Sequence, residues 1–564
     1  MKRYTSQHKK QSLTANAEPA SSSDSKQSES AIGGTIGEIS GQIMQKFGNS
    51  PDLSLRLFQI GQKASTNVAI MYMKGMVNQP GINEFVAGSL LSDSHGDPDQ
   101  STPESWMTFL MNRALSTGEA NIVHSVKDMI LAILSGDTVI LIEDCQDGIV
   151  VGTRGGEHRT ITEPTSQLVV RGAKDSFVES LSINLSLVRR RIQSPDLWLE
   201  TIKIGKNSQT DVAMLYVHTI AEQSLVDEVR RRLSSIEINE VLESAYIEEF
   251  IQDHTFTPFP TVFNTERPDT AVSNLLEGRV VLIVDGTPFV LIMPVVFAQF
   301  FQSAEDYSQR YDIAILMRLV RYLCFIVLLL GPAVYIALTT FHYEMIPTQL
   351  LISLMAQREG VPFPAFVEAM LMEIAFEILR EAGVRMPRAI GQTVSIVGAL
   401  ILGEAVVQAG IITPVMVIVV SLTGIASFAV PAYNLAIAGR IIRFAFMVLS
   451  GLFGFYGITL GLIVLVAHMN SLRSFGIPYM APFSPFVLSS QKDAVLLFPY
   501  WMLNSKGQKK KTSKIQGERN AENKLHVNSS NVSNQTTPGQ WGTRKDEDSS
   551  ASPKPQQQGG TSES

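Results

Sequence analysis

Cysteine is nearly missing: Cys145 and Cys324 are the only two in 564 residues. One stands beside a turn and the other in an apolar run, so neither a disulfide framework nor a thiolate metal site is suggested, and both read as packing residues. The signatures of an enzyme are missing as well. No GxGxxG follows a strand, no GxxxxGK precedes a Ser or Thr, the nine histidines never form HExxH, and no serine sits in GxSxG. The acids of EDCQD, Glu143 to Asp147, read as a hairpin turn rather than a metal cage. No catalytic role, cofactor or metal is expected. Basic charge is in short supply too. With 46 Lys and Arg against 53 Asp and Glu, the net charge of −7 argues against nucleic acid as a partner. Near the N-terminus no basic stretch leads into an apolar core, so no cleavable signal peptide is expected and the first half is expected to stay in the cytoplasm.

What is present is unevenly spread. Residues 1–48 form a polar head that is expected to be disordered, and 491–564 a tail rich in Ser, Asn, Gln, Lys and Gly that is expected to be disordered after about residue 504. Between them, residues 49–310 carry ordinary charge density, whereas 311–490 hold apolar runs near membrane-spanning length. The first of these regions is duplicated. SPDLSLRLFQIGQKASTNVAIMY from Ser50 matches SPDLWLETIKIGKNSQTDVAMLY from Ser194 at a constant offset of 144 residues, pairing Asp52 with Asp196 and Tyr72 with Tyr216. LSGDTVILIED from Leu134 echoes LEGRVVLIVDG from Leu276, so each copy spans roughly 95 residues. The two copies divide the region into subdomains at 49–165 and 166–310. Each reads as a buried strand, a helical stretch such as Leu225 to Phe250, and a second strand ending at a glycine-bearing turn: α/β or α+β in class. Arg189, Arg190 and Arg191 close a helix ahead of the second copy, either as favourable charge at its C-terminus or as a salt bridge between subdomains or subunits.

The second half reads as an all-α, polytopic membrane domain. Asp285 to Phe301 is too short for a comfortable span and is expected along the membrane surface. A first crossing is expected at Leu319 to Leu338 behind Arg318 and Arg321, which suggest cytoplasmic flanking charge. Ala389 to Ala409 follows with nine Leu, Ile or Val residues, enough to offset the roughly 3 kcal/mol that Glu404 costs. Thr393, Val397, Leu400, Glu404 and Gln408 share a stripe on this helix, a candidate pore-lining face or a polar contact between helices. Ile411 to Val430 reads as another span, followed by Arg440 and Arg443 on the cytoplasmic side. The last long span is Phe444 to Met469, where Ser450, Gly454, Gly457 and Gly461 have the spacing that lets helices pack closely. Arg473 to Phe486, broken by three prolines, reads as an interfacial or re-entrant loop. The lysine-bearing tail calls for an even number of crossings.

One segment stands out against that apolar background. REGVPFPAFVEAMLMEIAFEILREAGVRMP, Arg358 to Pro387, carries Glu368, Glu373, Glu377 and Glu381 on what reads as a helix from Pro364 to about Gly383. Glu373, Glu377, Arg380 and Glu381 share one stripe, and Glu368 points the other way with Met372, Ala375 and Leu379. Acids on both faces suit a coupling helix wedged between protein and interface, or an interfacial helix whose acids are simply solvated.

These motifs resemble the A subunit of the GerA-type spore germinant receptors. The resemblance spans about residues 50 to 500 and rests on Glu163–Pro164, FVESLSINLSLVRRRI, DGTPFVLIMPVVFAQFFQSAEDY, the acidic segment, GQTVSIVGALILGEAVVQAGI and LRSFGIPYMAPFSPF. It implies an inner spore membrane protein, multi-pass, that triggers germination in response to nutrients. It further implies a transporter-like, germinant-binding B subunit, a C lipoprotein, contact with membrane lipid and a homo-oligomer, pentameric by that resemblance. Within such a complex the A subunit would form a cation channel. Two alternatives stand beside it: a secondary transporter using Glu373, Glu377 or Glu404, and a sporulation paralogue that acts without germinant-binding partners. The duplication lies only in the soluble half, which counts against a transporter.

Overall fold

The protein, seen in a computed structural model, is described over residues 35–60, 66–88, 103–111, 119–155, 163–164, 166–385, 398, 401–486 and 491–498. Strands β1 (Leu53–Ile60), β2 (Thr66–Met73), β3 (Ala120–Val123), β4 (Thr138–Ile142) and β5 (Gly148–Val151) form a sheet in the order β1-β2-β4-β5-β3. Strands β6 (Leu197–Ile204), β7 (Thr210–Val217), β8 (Phe263–Thr265), β9 (Val280–Val284) and β10 (Val290–Met293) repeat that order as β6-β7-β9-β10-β8. The register repeats as well: Leu53 faces Met73 as Leu197 faces Val217, at the offset read from the sequence. Every pairing within the two sheets is antiparallel, which decides for α+β over α/β.

Both faces of each sheet are buried, which is why the central strands are continuous apolar runs rather than alternating ones. Val68, Ile70 and Tyr72 enter one core and Ala69, Met71 and Met73 the other. The second core of the first repeat includes a helix the sequence reading missed. Residues Ile36–Lys46 (α1) are capped by Thr35 and Glu38 and bury Ile36, Ile39 and Ile43 against the sheet, beside α2 (Val126–Ser135). The polar head therefore stops short of residue 48. Composition over the whole head hid three isoleucines at helical spacing.

Three further expectations give way in the second repeat, which follows α3 (Leu181–Arg191). The stretch Leu225 to Phe250 is two helices, α4 (Gln223–Ser234) and α5 (Ser244–Ile251), ahead of α6 (Pro268–Leu276). Asp285 to Phe301 does not lie along a surface: it supplies β10 and a short 3-10 turn, Phe297–Phe301, all buried. Arg473 to Phe486 is not a re-entrant loop either. It makes a small hairpin, Arg473–Ser474 against Ile477–Pro478, that docks on this repeat; Ser474 Oγ donates to the Thr261 carbonyl and accepts from Val295 N, and Tyr479 is fully buried. EDCQD does turn between β4 and β5, with Asp144 at φ 61°.

The repeats meet through Arg189. Its guanidinium, buried at the end of α3, donates from Nε to Asp52 Oδ2 at 2.9 Å and from Nη1 to the Leu197 carbonyl at 2.7 Å. That is the salt bridge between subdomains. Gly48, at φ 64°, lies flat against the Trp198 ring, where a Cβ would come within 2.3 Å.

The helical half comprises α7 (Tyr311–Thr340), α8 (Thr348–Arg358), α9 (Ala365–Arg385), α10 (Pro414–Ala429) and α11 (Tyr433–Ser471). Two of them, α7 and α11, are long and apolar enough to cross a membrane; α10, expected over Ile411 to Val430, is shorter because Pro414 starts it. Helix α11 is not one straight span. Gly454 adopts φ 60° and ψ −139°, and a Cβ on Gly461 would touch the Phe446 ring at 2.8 Å. In a straight helix those residues would stand about 22 Å apart. The chain therefore folds back at Gly454, and arm 455–471 packs against arm 433–453, so the expected single span from Phe444 to Met469 is replaced by a helical hairpin. Both its ends return to the second repeat, where Leu435, Ala436, Met469 and Leu472 share a core with Leu215, Val281 and Phe300.

Candidate functional site

Helix α9 carries the acids singled out above, and the structure gives each a different environment. Glu373 and Arg443 of α11 are both wholly buried, with Arg443 Nη2 2.7 Å from Glu373 Oε2. The pair is held by charge alone: neither carboxylate oxygen and no Arg443 nitrogen is aligned for a hydrogen bond among the described residues. One turn on, Glu377 accepts from Arg440 Nη1 of α11 at 2.9 Å and from Arg380 Nη1 at 3.1 Å. Arg380 also donates to Ser427 Oγ of α10 at 3.1 Å and lies over the rings of Phe376 and Phe428 at 5.1 and 5.5 Å. In so apolar a setting an unpaired charge costs several kcal/mol, roughly, so these partners hold one another in place.

Glu368 works at the other end of the helix. Its Oε2 accepts from both the backbone N–H and the hydroxyl of Thr413, each at 3.0 Å, with Arg358 3.6 Å from Oε1. A carboxylate there satisfies donors at the start of α10 and meets the positive end of that helix. Glu381 alone matches the solvated reading: it is exposed and bonds Arg385 at 2.7 Å. Helix α9 is thus tied at three levels, to the start of α10, to α11, and to α10 again near its end. The stripe read from the wheel is real for Glu373, Glu377 and Arg380. The partners Arg440 and Arg443 are buried in ion pairs rather than free flanking charge, whichever side they face; their i, i+3 spacing inside an apolar run, matching Glu373 and Glu377, was the available signal.

Of the candidate pore stripe, Thr393, Val397 and Leu400 lie outside the described residues. Glu404 and Gln408 are both exposed, and Gln408 Nε2 donates to Glu404 Oε1 at 2.9 Å. Glu404 falls in a π-helical turn, Ile401–Ala405, which shifts residues off the face a regular helix would give them. The packing stripe divides into two kinds of contact. Ser450 Oγ donates to the Ala333 carbonyl of α7 at 2.5 Å and Gly454 abuts Phe341 and His342, while Gly457 and Gly461 press on Leu449 and Phe446 of their own hairpin.

Arg318 and Arg321 are not free flanking charges. Both bind Asp306, at 3.0 and 2.7 Å, and Arg318 reaches Asp493 at 3.3 Å, tying the base of α7 to the segment after residue 490. Burial pushes the Asp493 carboxyl above its ordinary range, against the pull of Arg318.

The family described as Bacillus/Clostridium GerA spore germination protein matches residues 41–509. Spore germination protein KA of Bacillus subtilis (strain 168) is 47% identical over 460 residues, covering 82% of this chain and 84% of that one. The uncharacterized membrane protein YfkQ of the same strain is 41% identical over 468 residues, 81% of this chain and 89% of its own. Spore germination protein GerLA of Bacillus cereus is 37% identical over 473 residues, 84% and 95% of the two chains. Among solved structures, the N-terminal domain of the A subunit of the Bacillus megaterium spore germinant receptor GerK3 aligns at 37% identity with a TM-score of 0.38, covering 48% of this chain and 99% of that domain. The chain belongs to the GerA family of spore germination proteins.

Proposed function

We propose that this chain is the multi-pass membrane subunit of a nutrient germinant receptor in the inner spore membrane, and that it forms an oligomeric, ligand-gated cation channel with B and C partner subunits. Family membership supports the germination role, and the apolar length of α7 supports the membrane. The observation that carries the channel reading is Glu404 beside Gln408, an acid and an amide side by side and exposed at the end of an apolar run. Thr393, Val397 and Leu400 complete that lining, and α9, tied to α10 and α11 by Glu368, Glu373, Glu377 and Arg380, passes movement to it; Glu381 faces outward.

The test is cation release from spores that lack every other receptor and carry this chain with or without its B and C partners. Glu404→Gln is expected to change the flux while the protein accumulates normally; loss of the protein would instead assign Glu404 to packing. Val397→Ala and Leu400→Ala are expected to leak cations without nutrient.

A further inference from the structure

The second repeat carries a fully exposed phenylalanine, Phe256, on the loop between α5 and β8. Thr257, the next residue, is fixed in place: its hydroxyl lies 3.0 Å from His468 Nε2 on the last turns of α11, and Phe259 packs toward the same imidazole at 6.3 Å between ring centres. Phe256 therefore stands at a defined height, where α11 changes from apolar Ile463, Val464 and Val466, all exposed, to polar Asn470 and Ser471. His254 on the loop and Arg473 just past the helix are exposed, and neither has an ion pair among the described residues. Asp253 brings the two sides together by accepting from Phe475 N and binding Arg232.

From this arrangement we infer that the loop 254–257 is a lipid anchor: Phe256 enters the boundary between headgroups and acyl chains of a phospholipid bilayer, with His254 and Arg473 at the level of the phosphates. An aromatic ring one residue from a contact with His468, one turn beyond the exposed apolar wall of α11, and flanked by basic groups has the chemistry of that boundary. A fully exposed ring facing water would gain nothing, whereas burying one is worth about 1.5–3 kcal/mol. The anchor would hold the second repeat, which shares its core with the helical half, at a fixed distance from the bilayer surface.

This inference rests on the membrane reading above, and the experiment separates the two. In full-length protein lacking Cys145 and Cys324 and reconstituted in phosphatidylcholine–phosphatidylglycerol vesicles, a spin label is placed at Phe256→Cys, at Val464→Cys and at Leu57→Cys, the last exposed on the first repeat. The expected result is oxygen access exceeding that of a water-soluble nickel complex at 256 and 464, and the reverse at 57. A label at 256 that meets the nickel complex while 464 meets oxygen overturns the anchor and leaves the membrane reading standing; nickel access at 464 as well overturns both. Immobilisation at 256 with neither reagent admitted would place a second protein copy there and also overturn the anchor. Because a label can insert by itself, hydrogen exchange of unlabelled loop 254–257 is compared between the wild type and Phe256→Ser in the same vesicles. Exchange is expected to accelerate about tenfold in the variant, and equal rates overturn the proposal.

Discussion

At the scale of single residues, the buried ion pair of Glu373 and Arg443 separates stability from specificity. Neither partner has an aligned hydrogen bond, so the pair gains little beyond neutralising itself. Removing one partner leaves the other charge stranded. Glu373→Ala is expected to destabilise the detergent-solubilised protein by about 3–5 kcal/mol, and Glu373→Leu combined with Arg443→Met to recover most of that loss. Thermal inactivation of the single and double variants checks it, and a double variant no better than the single would show that the charges act separately. The acids of this helix were legible in the sequence as an anomaly, because carboxylates in an apolar run always demand partners. The identity of the partners was not, since a helical wheel fixes the face a residue lies on and says nothing of which helix meets it.

At the scale of elements, the turn at Gly454 shows where periodicity stops being informative. An apolar run from Phe444 to Met469 reads equally well as one long helix or as two arms, and the small residues that permit close packing between helices also permit folding back. What distinguishes them is a single backbone conformation, φ 60° and ψ −139°, open to glycine and strained for any other residue. Gly454→Ala is expected to cost about 1–3 kcal/mol from the backbone alone. Its Cβ would also meet His342 at 2.9 Å and Phe341 at 3.0 Å. Gly403→Ala, where a Cβ meets nothing, is the control. A lower yield and melting temperature for the first variant only would confirm the hairpin; equal behaviour would favour a continuous helix. Of the five strands in each sheet the sequence reading held two, β2 with β4 and β7 with β9, because the repeat at a constant offset marks the same apolar runs in both copies; β10, inside a run taken for a surface segment, was not legible.

For the molecule as a whole, the duplication conceals an asymmetry. The second repeat shares one continuous core with the helical half through Phe297, Phe300, Leu435 and Tyr479, whereas the first repeat has separate cores of its own. The first is joined to the second mainly through polar contacts: Asp52 with Arg189, Ser50 Oγ accepting from Leu199 N at 3.1 Å, and the Lys46 carbonyl accepting from Trp198 Nε1 at 3.3 Å. The matching position in the second repeat, Asp196, has no such partner among the described residues and accepts from Ser194 instead. Identical ancestry thus predicts the sheets but not their connection, which arose where the copies diverged. A polar joint between units with independent cores opens before either core does. Asp52→Ala, which strands the buried Arg189, is expected to speed amide exchange throughout the first sheet while leaving the second sheet and α11 at wild-type rates, a local loss of about 3–5 kcal/mol. Hydrogen exchange of the full-length protein in lipid measures both sheets at once. Equal acceleration in the two would make the duplicated half a single cooperative unit, with no independent movement of the first repeat against the second.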